Sequence, residues 1–227
     1  MSAHPLDRPV WSAFTGRQAD LAVWNGRALR VHPDFGLFAG AVDNASESLA
    51  DLSSLVAEQG DVGLVEVFDM PPVPGTRVVS AAVCLQMTAE TVAPLWDAAF
   101  EILALDDADA AEMLALATQT KPGPFFGRTH QLGSFVGVRV DGRLVAMAGE
   151  RMRPAGYTEA SGVCVHPDHR GKGYAARLLR EVTARILARG EKAFLHSYAD
   201  NATAIGLYEA LGYRGRREVI FTILTAA

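Results

Sequence analysis

Hydrophobic and polar positions change period in a regular order along the second half of the chain. Ser134–Val140 and Arg143–Met152 read as strands on either side of Asp141-Gly142. That pair is a strong hairpin signal, because both residue types accept positive φ. Tyr157–Val165 is a further strand. Across Ala175–Ala188 the residues Leu178, Leu179, Val182, Ile186 and Leu187 recur at helical spacing. Ala193–Tyr198 then reads as strand, Ala202–Leu211 as helix and Arg217–Leu224 as a last strand. Upstream, Phe100–Leu105 is a short strand. Asp106 or Asp107 caps a helix that reaches about Ala117, and Lys121-Pro-Gly-Pro124 forms the loop after it. The hairpin implies antiparallel pairing, whereas strand–helix–strand across 157–198 implies a parallel pair with a right-handed crossover. The expected fold is α/β (α+β), with a mixed, mostly antiparallel sheet flanked by helices.

The first 97 residues read as a smaller α/β unit. Ala28–Val31, Gly63–Phe68 and Val78–Gln86 are strand candidates, and Ser46–Glu58 is a helix with Leu49, Leu52, Leu55 and Val56 on one side. Met70-Pro-Pro-Val-Pro-Gly75 is a turn or linker, since proline fixes the backbone and removes donors. Two domains are expected, 1–97 and 98–227. The first carries no pattern that points to catalysis.

Composition narrows the class. The chain has 227 residues, 49% hydrophobic and 21% charged, which is ordinary for a globular protein. No apolar run approaches the roughly 18–20 residues that span a bilayer, and Met1–Arg8 lacks the order of a secretory signal. Cys84 and Cys164 are the two cysteines, far apart, so a disulfide framework is not expected and a cytoplasmic location is. Residues 1–97 carry 5 basic and 12 acidic side chains, and residues 98–227 carry 16 and 14. Within 163–190, Arg170, Lys172, Arg177, Arg180, Arg185 and Arg189 outnumber Asp168 and Glu181. One basic helix and turn in an acidic protein suits a small anionic ligand, not a nucleic-acid or membrane surface. Arg185 and Arg189 read as a solvated face; Arg170 and Lys172 do so less well.

The turn after Val163-Cys164-Val165 carries the candidate chemistry. A β-branched run stops at His166-Pro167, a basic glycine-containing turn follows, and a helix begins at once. Glycines admit a ligand close to the backbone, and a helix N-terminus offers free N–H groups with a favourable dipole to a diphosphate. A P-loop needs a longer turn and a hydroxyl after Gly-Lys. A dinucleotide fold matches Gly171-Lys-Gly173-Tyr-Ala-Ala176 formally, but its first glycine should follow the strand directly. Here His166–Arg170 intervene, and Asp200 lies 29 residues past Gly171, beyond the offset of about 20 at which that fold places its acid.

Arg170-x-x-Gly173-x-Ala175 after a strand ending in Val165-His-Pro resembles the acyl-CoA loop of the GNAT superfamily of N-acetyltransferases. Downstream, Asn201, Ala204, Tyr208 and Gly212-Tyr213 match a second motif in the right order. The likeness covers roughly 98–227. The whole chain resembles the branch related to glycine N-acyltransferase, in which a degenerate N-terminal half precedes the working one; that allows residues 1–97 to be read as a vestigial copy.

The resemblance implies acetyl-CoA as co-substrate and no metal. The backbone amides of Arg170, Gly171, Lys172, Gly173, Tyr174 and Ala175 would hold the diphosphate, with Gly173 and Ala175 small because the ligand lies against them. The pantetheine arm would pair with the backbone of Val163, Cys164 and Val165, where two parallel strands splay. Its two amides need partners, and a frayed strand supplies them. Asn201 and Ala204 would contact the same arm. Tyr208, on the same helix face by its spacing, would donate a proton to the leaving thiolate. Glu159 would be the base, sharing by alternation a face with Ser161, Val163 and Val165. Against these roles stand plainer readings: Tyr208 as a packing side chain, Glu159 as an exposed strand residue and Cys164 as a small buried hydrophobe, the last preferred over a nucleophile. His166, His169 and His196 with Cys164 have no standard zinc spacing. The acceptor is a small-molecule or protein amine, lined by about 107–130, Pro122–Phe126 and Arg151–Arg153; amino acid, polyamine, antibiotic and protein N-terminus all stay open. The rival class is a non-catalytic acyl-CoA sensor or partner subunit, and transfer of a longer acyl group is a third reading. Either a monomer or a homodimer is compatible.

Overall fold

The computed structural model describes residues 4–94 and 100–227. The expected domain boundary at 97/98 lies outside the described residues. In chain order the elements are α1 (Pro9–Phe14), β1 (Ala22–Asn25), β2 (Ala28–Val31), β3 (Ala39–Ala41), α2 (Ser46–Gln59), β4 (Val62–Glu66) and β5 (Thr76–Ala89). Then come β6 (Leu103–Leu105), α3 (Ala110–Thr120), β7 (Phe135–Val140), β8 (Arg143–Glu150) and β9 (Tyr157–Val165). The chain closes with α4 (Tyr174–Ala188), β10 (Lys192–Tyr198), α5 (Ala202–Ala210) and β11 (Arg214–Ala226).

The main sheet has eight strands in the order β4-β11-β5-β10-β9-β8-β7-β6, and β1-β2-β3 form a separate sheet. Within the main sheet β9 and β10 run parallel and the other neighbours antiparallel. The sheet is mixed and mostly antiparallel, with helices against it. Strands from both sides of position 97 share it, because β5 inserts between β10 and β11 and β4 lies beyond β11.

Local chemistry accounts for these elements. Asp141 (φ 49°) and Gly142 (φ 77°) turn the β7–β8 hairpin with two consecutive positive φ values, the twist that two-residue loops favour. α2 buries Leu49, Leu52, Leu55 and Val56 and stops at Gly60, whose N–H reaches the Val56 carbonyl. α4 buries Leu178, Leu179, Val182 and Ile186 against Val136, Val138, Ala146 and Ala148. Each such side chain contributes about 1.5–3 kcal/mol. Alternation puts Phe135, Met147 and Cys164 on the opposite face, where they pack on Met113, Leu116 and Ala117 of α3. α1, β1 and β3 are too short to show a period in the sequence. Phe100 is not in β6; its ring packs edge-on against Tyr174 at 4.7 Å.

Candidate active site

The site begins where the parallel pair comes apart. β9 and β10 are paired only from Tyr157↔Lys192 to Glu159↔Phe194. Beyond that point β9 stays with β8 as far as Val165, and β10 stays with β5 as far as Tyr198. The edge of β9 from Ala160 to Val165 therefore faces an opening. A bulge marks the same place: Gly162 has φ +64°, and the β8–β9 register slips between Met147 and Gly149. A Cβ at Gly162 would lie 3.0 Å from the Phe135 ring, so both backbone and space call for glycine.

The bulge corrects the expected alternation. Ala160, Val163 and Val165 pack on the α4 side, while Cys164 faces α3. Glu159 therefore does not share a face with Val163 and Val165. Cys164 is buried, and burial, only partly opposed by a hydrogen bond with Thr120, pushes its thiol up to about 11. It is a protonated hydrophobe there, not a nucleophile.

The basic turn leads from β9 into α4. His166 Nδ1 accepts from the Asp168 N–H and caps a short 3-10 turn over Pro167–His169. Gly171 (φ 75°) and Gly173 (φ 80°) follow, and no atom lies within 4 Å of a Cβ built on either. α4 starts at Tyr174, one residue before the expected start, and no side chain caps it. Its first N–H groups thus point from an uncapped end into open space, a fit for an anionic group. Arg170 and Lys172 are exposed, and neither makes an ion pair among the described residues. Among the other helix bases, Arg180 donates to the Ala93 carbonyl, Arg185 pairs with Glu181, and Arg189 with Glu150 and Glu191. Tyr174 buries its ring in the core, so only its backbone faces the turn.

Across the opening stands α5. Asn201 Oδ1 accepts from the Ala204 N–H at 3.1 Å, so Asn201 is the helix cap and keeps its amide donors. Tyr208, two turns on, lines the cavity with Asn201; Ala204 does not. Burial pushes the Tyr208 phenol above its ordinary value, so it is protonated at neutral pH.

Glu159 is bound up in a buried network. Arg151 grips it with both arms, Nε to Oε2 and Nη2 to Oε1, each at 2.8 Å. His196 Nδ1 lies 2.8 Å from the same Oε1. Burial would raise this carboxyl, but the Arg151 charge and the two sets of hydrogen bonds outweigh it and hold it at about 2. Behind His196 is Gln86, fully buried. Its Oε1 accepts from Arg216 at 2.8 Å, which turns its Nε2 towards the Leu6 carbonyl (2.9 Å) and His196 Nε2 (3.0 Å). Facing a donor, Nε2 is the acceptor and the imidazole proton is on Nδ1, towards Glu159. The expectation that Glu159 takes a proton from the amine is not met. It is 1% exposed, its oxygens are occupied, and it does not line the cavity.

The cavity, of about 830 Å³ with its open mouth, passes from the splayed strands to the face opposite α4. Of the segments expected near the acceptor, Lys121, Pro122, Gly123, Pro124 and Arg151 line this cavity, whereas Phe125, Phe126, Met152 and Arg153 do not. Phe125 packs edge-on against Phe135 instead, and Met152 is in the core. The residues missed from sequence are Phe38, Val65 and Cys84 from the first 97 residues, with His196, Ser197, Tyr198, Val219 and Phe221. Only His196 left a sequence trace, as a polar residue in a strand two places beyond the partner of Glu159. No group of three or more His, Cys, Asp or Glu among the described residues is arranged to hold a metal ion. None of their helices is long and apolar enough to cross a membrane.

Similar proteins share this architecture. The family described as FR47-like protein matches residues 135–222. The N-alpha-acetyltransferase RimI of Mycobacterium tuberculosis is 34% identical over 123 residues, 49% of this chain and 76% of that protein. An acetyltransferase of Yersinia pestis is 42% identical over 50 residues, 22% of this chain and 36% of that protein. The crystal structure of a GNAT-family acetyltransferase from Novosphingobium aromaticivorans is 49% identical, with a TM-score of 0.92, over 99% of this chain and 100% of that one. The fold and these likenesses define an acyltransferase. The chain belongs to the GNAT family of N-acetyltransferases, whose members use acetyl-CoA.

Proposed function

We propose that the protein transfers an acetyl group from acetyl-CoA directly to a primary amine, both substrates being bound together. The observation that carries this reading is the continuity of the opening. Unpaired β9 backbone leads on one side to the uncapped start of α4 and on the other to a cavity bounded by Tyr208. The diphosphate would bind at the amides of Arg170–Ala175, with the arm along Val163–Val165 and the thioester near Tyr208.

The amine nitrogen attacks the thioester carbonyl, the C–S bond breaks, and the thiolate takes the Tyr208 hydroxyl proton. The proton lost by nitrogen returns to Tyr208 through water. Neither thiol of the site competes as a nucleophile, because burial, opposed only in part by the Arg151 charge, also pushes Cys84 up to about 11. Among the described lining residues none offers an unoccupied carboxylate or imidazole lone pair, so the amine must arrive uncharged. The acceptor is a small-molecule or peptide amine; the RimI relative is by its name an N-alpha-acetyltransferase.

Amine-dependent release of the CoA thiol tests the function. A protein that only senses acetyl-CoA would gain melting temperature with it yet release no thiol with any amine. The pH profile tests the missing base. kcat/KM should climb about tenfold per pH unit up to the pKa of the amine itself, because only the neutral fraction reacts. Two amines of different pKa should give profiles displaced by that difference. A limb at the same pH for both would place a titrating base in the protein.

A further inference from the structure

Resting on the acetyl-transfer reading, we infer that the acceptor is an apolar amine with no second positive charge. The wall that faces away from α4 is built from Phe38, Val65, Cys84, Val219 and Phe221. All but Phe221 are buried in one apolar cluster, against which Phe221 packs, and the Phe38 and Phe221 rings lie 6.1 Å apart. This surface suits a hydrocarbon or aromatic body.

The charged groups of the wall have one sign. Arg151 lines the cavity with its guanidinium 4.5 Å over the Phe38 ring, and the exposed Lys121 also lines it. No lining residue among those described is acidic. Glu159 is spent on Arg151 and His196, and the second ring nitrogen of His196 is occupied by Gln86. Asp200, beside Asn201, is exposed and does not line the cavity, although its charge is felt at Cys84 in the wall. A second ammonium would lose its water against phenyl rings and meet Lys121 with no lining carboxylate to pair with. Polyamines and aminoglycosides are therefore the wrong substrates, although both carry reactive primary amines.

The test is thiol release from acetyl-CoA with matched pairs, hexylamine against hexamethylenediamine and benzylamine against xylylenediamine. Each monoamine should exceed its diamine in kcat/KM by about tenfold or more. Lys121→Glu should shrink that gap by raising use of the diamines, and Lys121 is exposed, so the fold tolerates the change. Diamines equal to or better than monoamines in the parent overturn the inference while leaving acetyl transfer standing. Release with no amine of either kind overturns acetyl transfer and the inference with it.

Discussion

Tyr208→Phe should lower turnover by about tenfold or more, the lower end of what a positioned acid contributes, while acetyl-CoA affinity stays near that of the parent. The substitution removes one oxygen and keeps the ring that packs, tilted, 6.3 Å from Tyr213. The helix is anchored independently by the Asn201 cap, so no rearrangement of the cleft is expected. Steady-state turnover together with acetyl-CoA titration followed by thermal shift separates the two quantities. Unchanged turnover would remove Tyr208 as the acid. Lost acetyl-CoA binding would make it a packing residue.

Glu159→Gln should act mainly on stability. The carboxylate is the counter-charge of Arg151, which is itself 9% exposed. Removing one partner of a buried pair costs about 3–5 kcal/mol, which for a chain of this size lowers the melting temperature by roughly 10 °C. The sign with pH follows from the depressed folded value of about 2. Stabilisation by the pair is complete above the ordinary carboxylate value and is lost as pH falls through about 2. The gap between parent and variant in urea melts should therefore be full at neutral pH and close in acid. A variant with parental stability but lost turnover at mildly acidic pH would restore Glu159 as the base.

The turn at 163–175, the helix after it and the Asn201–Tyr208 spacing are local patterns, and the structure brings Val163, Asn201 and Tyr208 to one cavity. The parallel pairing of β9 with β10 was legible too, because a strand–helix–strand order dictates it; the splay was implied only by the family resemblance. The bulge was not legible. Gly162 stands inside an otherwise unbroken strand pattern, and one extra residue reverses every side chain beyond it. Nor could pairing between distant segments be read. Nothing local to Thr76–Ala89 says that it inserts between β10 and β11, yet that insertion puts Cys84 in the wall and Gln86 behind His196. The carboxylate of Glu159 looked available because Arg151, its partner, is eight residues away, just past the end of the neighbouring strand β8. The first 97 residues showed no catalytic pattern because what they supply is a wall and a hydrogen bond, neither of which has a motif.

Direct transfer in the cleft is the centre of this account, and a single-turnover experiment addresses it. Enzyme mixed with one equivalent of acetyl-CoA is followed for free thiol and by intact mass, first alone and then with an apolar monoamine. Direct transfer gives unmodified protein and no thiol until the amine is added, then thiol and acetylated amine in equal amounts. Acetylated protein before the amine, or thiol release that the amine does not change, would contradict it.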